Sequence, residues 1–350
     1  MSSNLISAIS LFAGAGGLDV GFEHAGVTIK AANELNNDAC NTYETNHPNT
    51  KLFKGNLLDY LDIIAKYRDI DMVIGGPPCQ GFSVAGKMDP SDERSKMIWY
   101  FLDVVNLLRP KVFVMENVKA LASLAKWKDV KDLYLKKATS LGYTCHYFIL
   151  NASDFGVPQN RERVFFVGSK KEYTSTAFTD NLKQFQTKTP SLREILTQLP
   201  PCGSTGNPNT CTAKITLAEF PIMRKSPYAG MLFNGMGRPL NLDLVSNTLP
   251  ASMGGNKTPI IDEKVLYDKN AIDWVKEYHC KLLNKEITPK YQLAPSNLRR
   301  ITIQEAALIQ TFPKNYIFKG SKSAIYTQIG NAVPCKLAEC IAKCIIKTCL

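Results

Sequence analysis

The sequence predicts an α/β fold: a doubly wound, mainly parallel sheet with helices on both faces, joined to a smaller irregular domain. Three observations predict it. Short β-rich runs at 6–12, 28–32, 72–74, 112–115, 147–150 and 164–167 read as buried strands. Apolar residues at helical spacing lie between them: Met97, Ile98, Phe101, Val104, Val105 and Leu108, then less regularly Val130, Leu133, Leu135 and Leu141. Such alternation builds a parallel sheet whose ligand crevice lies beyond the carboxyl ends of its strands. From about residue 169 to 297 the texture changes; Pro, Asn, Thr and Gly become frequent, as in LPPCGSTGNPNTCT, and periodicity fades.

Near the C-terminus, 300–312 reads as a helix opened by Thr302, with Glu305 three residues on as in a capping box. A last helix, 336–347, is expected to lay its apolar face back on the first sheet. The first domain would then be discontinuous: 1–180 completed by 318–350, with 181–317 as the smaller domain.

The totals set bounds. The 350 residues are 45% hydrophobic and 21% charged, an ordinary globular composition and neither a disordered nor a fibrous one. A net charge of +11 suits a protein that meets a polyanion, and suits a mildly basic protein without one equally well. No basic region precedes Gly14 and no apolar run reaches the length of a membrane span, so neither a signal peptide nor a membrane partner is expected. The 10 cysteines include no C-x-x-C pair and are expected to be reduced thiols. Cys335, Cys340, Cys344 and Cys349 fall on an apolar helical pattern without a nearby histidine, which favours core packing over a metal; none is expected.

The ends of the first, second, third and fourth predicted strands carry chemistry, and so does the entrance of the last. The first runs into FAGAGG, where glycines let backbone approach a ligand in front of a helix N-terminus. Gly14-x-Gly16 begins a dinucleotide fingerprint, but Asp19 stands where that fingerprint wants Gly or Ala. The second strand ends in Asn33-Glu34, a carboxylate placed to accept from ribose hydroxyls. The third turns out through Gly75-Gly76-Pro77-Pro78 into Cys79; the prolines stiffen the approach, and Gly81 and Gly86 loosen the segment beyond the cysteine. A cysteine merely packed in a tight loop fits that frame too. The fourth runs into Glu116, either a carboxyl held for proton donation or a helix cap. Arg161 and Arg163, two apart in QNRERV, either clamp an anion or bridge the surface.

In order and content these blocks resemble the cytosine-C5 DNA methyltransferases. The matching segments are FAGAGG (12–17), NE (33–34), GGPPCQGFS (75–83), ENV (116–118), QNRERV (159–164), RRITIQEAALIQTFP (299–313) and QIGNAVP (328–334). They cover nearly the whole chain; the cysteine and QIGNAVP blocks are highly specific, the glycine block is not.

The resemblance implies a fold of the S-adenosylmethionine-dependent methyltransferase type and a methyl transfer from S-adenosyl-L-methionine to cytosine C5, leaving S-adenosyl-L-homocysteine. It implies that Cys79 attacks C6, that Glu116 bonds N3, that Arg163 holds the base carbonyl and Glu116, and that Arg161 supports the site. Cofactor contacts carried over are Phe12, Gly14, Gly16, Gly17, Leu18, Glu34, Pro78, Met97, Asn331 and Val333. Asn56 stands where the family usually has Asp, and its carbonyl is expected to accept from the adenine amino group less strongly. Gln80, Ser83 and Arg94 are expected on a loop closing over a flipped-out cytosine.

For the region 181–297 the resemblance implies target recognition. NTLPASMGGNKTPII (247–261) would bring Thr248, Leu249, Gly254 and Gly255 to the DNA; an ordinary hairpin with a Gly-Gly turn also fits this stretch. The expected partner is double-stranded DNA, bound by a monomer in a bacterial cytoplasm at the nucleoid, with a paired restriction endonuclease acting on the same site. Competing readings are the tRNA-methylating branch, whose Cys-Phe-Thr tripeptide is absent here, a non-catalytic DNA-binding relative, and a nicotinamide oxidoreductase.

Overall fold

In the computed structural model, residues 5–78 and 96–350 are described, and they divide into two compact units. The first takes the chain up to Gly156 together with Arg161–Lys188 and Val333–Leu350; the second takes Val157–Asn160 and Thr189–Ala332. The sequence set the breaks at 180/181 and 317/318, against 188/189 and 332/333 between these units. Packing explains the offset. The helix Ser175–Lys183 lies against the C-terminal helix, while Lys322–Asn331 buries Tyr326 and Ile329 in the second unit's core.

The first unit is built on a seven-stranded sheet, six of whose strands the β-rich runs predict. Its strands are β1 (Ile6–Leu11), β2 (Val27–Glu34), β3 (Lys51–Lys54), β4 (Met72–Gly75), β5 (Val112–Val118) and β6 (Thr144–Asn151); after the short β7 (Gln159–Asn160), which belongs to the second unit, comes β8 (Glu162–Ser169). The order is β3-β2-β1-β4-β5-β8-β6, parallel from β3 to β5 and antiparallel on both sides of β8. Four of the six expected strands (β1, β4, β5 and β8) are buried on both faces, hence their unbroken apolar runs. The run at 147–150 is a correction: β6 is an edge strand, with Tyr147 37% and Ile149 38% exposed. The opposite edge, β3, has charged residues at both ends of KLFK and hides its strand character.

Helices cover the sheet as the apolar spacing requires. Met97–Leu108 buries Ile98, Phe101, Leu102, Val104 and Val105, each burial stabilising by roughly 1.5–3 kcal/mol. The C-terminal helix, Cys335–Cys349, packs on Gly17–His24 and Ser175–Lys183, and its Cys349 carbonyl accepts from Ser169 Oγ of β8 at 3.1 Å. A Cβ on Gly21 would sit 2.4 Å from Ala338 Cβ, so glycine sets that close approach. Its four cysteines are buried, and all the described cysteines are free thiols.

The second unit has only short strands: β9 (Leu217–Ile222) against β10 (Met231–Phe233), β11 (Ser246–Asn247) parallel to β7, and β12 (Ile260–Asp262) against β13 (Leu298–Arg300). The stretch 247–261 is not a hairpin, because its two ends pair with different strands. The helix expected at 300–312 forms over Ile303–Ile309, and Arg300 belongs to β13. Thr302 caps it as predicted: Glu305 N–H donates to Thr302 Oγ1 at 3.1 Å, and Thr302 N–H donates to Glu305 Oε2 at 2.8 Å. No helix among the described residues is long and apolar enough to cross a membrane.

Candidate active site

In the first unit the carboxyl ends of β1, β2, β4 and β5 lie side by side, and each releases one of the predicted segments. Beyond β1, Phe12 takes φ +57, Gly14 +57 and Gly16 +83, so three of five successive residues are left-handed. That is a costly conformation for phenylalanine and a feature that collects at functional sites. Gly16 N–H donates to the Ala13 carbonyl at 2.9 Å and Gly16 caps the helix Gly17–His24. A Cβ on Gly14 would meet nothing within 4 Å, so the turn borders open space that a ligand can fill. Leu18 and Val333 are buried, whereas Asn331 ends the helix Lys322–Asn331 in the second unit.

Glu34 closes β2. Its Oε2 accepts from Gly14 N–H at 2.8 Å and its Oε1 from Asn36 N–H at 2.7 Å. Burial pushes its pKa up, and the backbone donors of Asn36, Gly14 and Leu35 counter that. A carboxylate so held keeps acceptor capacity for a ribose hydroxyl. Beside it, Asn33 Nδ2 donates to the carbonyls of Phe53 and Gly55, both at 3.0 Å, which fixes the exit of β3. Asn56 lies on that exit with Oδ1 accepting from Leu58 N–H at 3.1 Å, so its carbonyl already caps the turn Leu57–Tyr60. The glycine turn and the Glu34 carboxylate fit an adenosyl amino-acid cofactor: open space beside bare backbone, with an acceptor for the sugar.

The end of β4 passes so near β1 that a Cβ on Gly75 would lie 2.3 Å from the Leu11 carbonyl oxygen. Gly76 comes next, where a Cβ would lie 3.1 Å from Glu116 Oε2. Asn117 Nδ2 donates to the Pro77 carbonyl at 3.2 Å, which ties the proline turn to β5. Pro78 is the last residue described before the cysteine; Cys79, Gln80, Ser83 and Arg94 lie outside the described residues. Met97, half-buried, opens the next helix.

Glu116 sits near the end of β5, and Arg163 reaches it from neighbouring β8, Nε to Oε1, at 3.0 Å. Burial raises the Glu116 pKa, while the charges of Arg163 and then Arg161 and the Arg163 hydrogen bond draw it back. Arg161 is buried with its N–H on Asn151 Oδ1 at 3.0 Å, and Arg163 Nη1 also donates to the Glu162 carbonyl. Such a carboxyl can hold a proton for a weakly basic partner, and the guanidinium can steady it.

The structure therefore brings together Phe12, Gly14, Gly16, Gly17 and Glu34, and separately Pro78, Glu116, Arg161 and Arg163, on strand ends of one sheet. It also gives contacts to Gly76 and Asn117, which the sequence names in the proline turn and in ENV without a role: Gly76 passes beside Glu116, and Asn117 holds the Pro77 carbonyl. In the second unit, Thr248 Oγ1 donates to the Asn160 carbonyl at 2.7 Å, and Leu249 is buried with its N–H on Gln159 Oε1 at 3.0 Å. Gly254 takes φ +110 and donates to Thr258 Oγ1 at 2.9 Å, and Gly255 faces open space. Among the described residues no cluster of His, Cys, Asp and Glu could hold a metal ion.

Residues 6–347 match the family described as C-5 cytosine-specific DNA methylase. The chain is similar to Type II methyltransferase M.DdeI of Desulfomicrobium norvegicum, 32% identical over 375 residues that span 97% of this chain and 88% of that protein. It is also similar to Type II methyltransferase M.MthTI of Methanothermobacter thermautotrophicus, 34% identical across 97% and 96% of the two chains. Among solved structures its fold is like that of Entamoeba histolytica methyltransferase EhMeth, with a TM-score of 0.66 at 18% identity over 99% of each chain. The S. pombe Dnmt2 methyltransferase gives 0.64 at 17% identity over 98% of each.

Proposed function

The chain belongs to the C-5 cytosine-specific DNA methylases, and from that premise we propose how it works: it methylates C5 of one cytosine within a short recognition sequence of double-stranded DNA, using S-adenosyl-L-methionine. The observation that carries the reading is the half-buried Glu116–Arg163 pair beside the turn that leads into Cys79. Cytosine C5 does not attack a methyl group unaided. The Cys79 thiolate adds to C6, and the electron pair of the C5–C6 double bond becomes available at C5. Glu116 supplies a proton to N3, and Arg163 holds both Glu116 and the base carbonyl, with Arg161 behind it. When C5 has taken the methyl group and lost its proton, the double bond reforms and the thiolate leaves. A stacked base cannot present C6 to a side chain, so the cytosine turns out of the helix at roughly a few kcal/mol.

S-Adenosyl-L-methionine, when bound, supplies an electrophilic methyl group. Gly14, Gly16, Gly17 and Leu18 would hold its amino-acid part, Phe12 its sulfonium and adenine, and Glu34 its ribose; Asn56, Pro78, Met97 and Val333 would complete the first unit's contacts. Because Leu249 is buried, contact with DNA along 247–255 runs through Thr248 and the glycine backbone. The relatives' names as Type II methyltransferases support a restriction-modification setting; in this reading an endonuclease acting on the same site is the partner, and the protein works in the cytoplasm on nucleoid DNA.

Base-resolution mapping of 5-methylcytosine on a plasmid treated with the purified protein and cofactor tests this, beside a Cys79→Ser variant. Methylation at one short motif, lost in the variant, supports it. Unmodified DNA with intact cofactor binding overturns the DNA reading and moves the search to tRNA.

A further inference from the structure

Asp19 is a buried ionisable group that this reaction leaves unused. It lies in the first turn of the helix Gly17–His24 and is fully enclosed. Ser10 Oγ, from β1, donates to its Oδ1 at 2.7 Å; Tyr43 Oη, from the helix Asn37–Asn46, donates to its Oδ2 at 2.5 Å. The Tyr43 ring stacks on His47 with centroids 4.2 Å apart, and His47 Nδ1 lies 3.1 Å from Glu23 Oε1. Burial raises the pKa of the Cys335 thiol on the C-terminal helix, and the Asp19 charge adds to that.

Two helices thus meet at one carboxylate. One begins at the glycine turn, and the other starts shortly after Glu34, capped by Asn36. The same two segments meet again at the strand ends, through Gly14 N–H and Glu34 Oε2 at 2.8 Å. Apolar packing alone would hold two helices together yet let them slide. Short hydroxyl-to-carboxylate bonds fix both distance and direction.

We propose that Asp19 and Tyr43 are positioning residues for the cofactor: their buried bond sets the spacing between the glycine turn (14–17) and the Glu34 carboxylate. The inference rests on the reading of those two segments as a cofactor site. Neither residue touches the cofactor; both act through the backbone that does.

Calorimetric binding of S-adenosyl-L-methionine and S-adenosyl-L-homocysteine to the full chain tests it, with Tyr43→Phe and Asp19→Asn beside the wild type. Tyr43→Phe keeps the ring on His47 and removes only the hydroxyl. Its dissociation constant should rise about fivefold to tenfold, the scale of one buried hydrogen bond. A lower unfolding temperature with an unchanged dissociation constant would mark a merely structural role and overturn the proposal.

The pH profile gives a second, independent readout. Ser10, Tyr43, His47, Glu23 and Cys335 are the polar and ionisable groups that bear on Asp19. Ionised, Asp19 receives both hydroxyls; protonated, it turns a proton of its own toward one of them. Wild-type affinity should therefore weaken as pH falls through about 6. Asp19→Asn should lose that component and keep only the part due to Glu34, which both proteins share. Parallel profiles would overturn the proposal even if Tyr43→Phe does not fold. A wild type that binds neither compound overturns this inference together with the cofactor reading; equal affinity in all three proteins overturns this inference alone.

Discussion

Arg163 Nε lies 3.0 Å from Glu116 Oε1, and the two side chains are only 15% and 12% exposed. The ion pair holds in balance a carboxyl that burial would otherwise leave neutral and a guanidinium charge opposing that. Because the folded-state pKa of Glu116 is raised, the folded protein binds more protons than the unfolded chain. The stability this group contributes is complete below the ordinary glutamate pKa and is lost as pH rises through the folded value. Removing Arg163 takes away the largest opposing charge. Arg163→Ala should thus destabilise by about 3–5 kcal/mol, the scale for breaking a buried pair, and more at alkaline than at acidic pH. Urea denaturation across that range checks it. Glu116→Gln keeps the shape without the proton donor; methylation should fall roughly 10²–10⁴-fold while cofactor affinity stays unchanged.

Gly75 and Gly76 are adjacent, yet substitution should affect them differently. A Cβ at Gly75 collides with the Leu11 carbonyl oxygen at 2.3 Å, a backbone atom in a paired central strand that cannot move aside. Gly75→Ala should cost about 1–3 kcal/mol or more of stability. At Gly76 the nearest atom is Glu116 Oε2, 3.1 Å away, the end of a side chain that can yield slightly. Gly76→Ala should change stability by less than about 0.5 kcal/mol but lower kcat about tenfold through a displaced carboxyl. Comparable unfolding midpoints for the two variants would refute the contrast.

Asp19 offers a pH test that needs no ligand. Burial raises its pKa from 3.8 to about 6, against the opposing His47 charge and the Tyr43 and Ser10 hydrogen bonds. The folded protein again holds the extra proton, so stability is highest below the unfolded value and falls as pH rises through about 6. A shift of that size corresponds to about 3 kcal/mol. Asp19→Asn removes the titration, and its unfolding free energy should lose that slope between about pH 4 and pH 7. If wild type and variant keep the same slope in urea titrations, Asp19 is not the group responsible.

The features legible in the sequence are those that local rules govern. β1, β4, β5 and β8 are buried on both faces, so each shows an apolar run that needs no partner to be recognised. Glu116 and the Gly75–Gly76 turn could be read because each ends or follows such a run, and Glu34 because it ends the partly buried run of β2. Edges were harder: β3 carries lysine at both ends, and β6 has the composition of a buried strand without its environment. The stretch 247–261 left a hairpin open as an alternative because a Gly-Gly pair signals one locally, while its ends pair with strands distant in sequence. Asp19 and Tyr43 were out of reach for the same reason. Their bond spans 24 residues and two helices, and no periodic pattern records it.

Glu34 allows the cofactor reading to be tested at a single bond. Its two oxygens accept from Gly14 and Asn36 N–H groups, which leaves their remaining lone pairs for a ribose. A glutamine there keeps one acceptor but turns an NH₂ group toward a backbone donor, so both the turn and the sugar contact suffer. Glu34→Gln should weaken S-adenosyl-L-methionine by roughly tenfold to a hundredfold, about 1.4–3 kcal/mol. That loss alone would not distinguish a sugar contact from a distorted turn. The 2′- and 3′-deoxy analogues of S-adenosyl-L-homocysteine do. If the carboxylate accepts from a ribose hydroxyl, the wild type should bind one of these analogues about as poorly as the variant binds the parent compound. The variant should then lose little more on the same deletion, and the coupling in this double-mutant cycle should exceed about 0.5 kcal/mol. Strictly additive losses for both analogues would mean that Glu34 only supports the glycine turn, and that the ribose lies elsewhere.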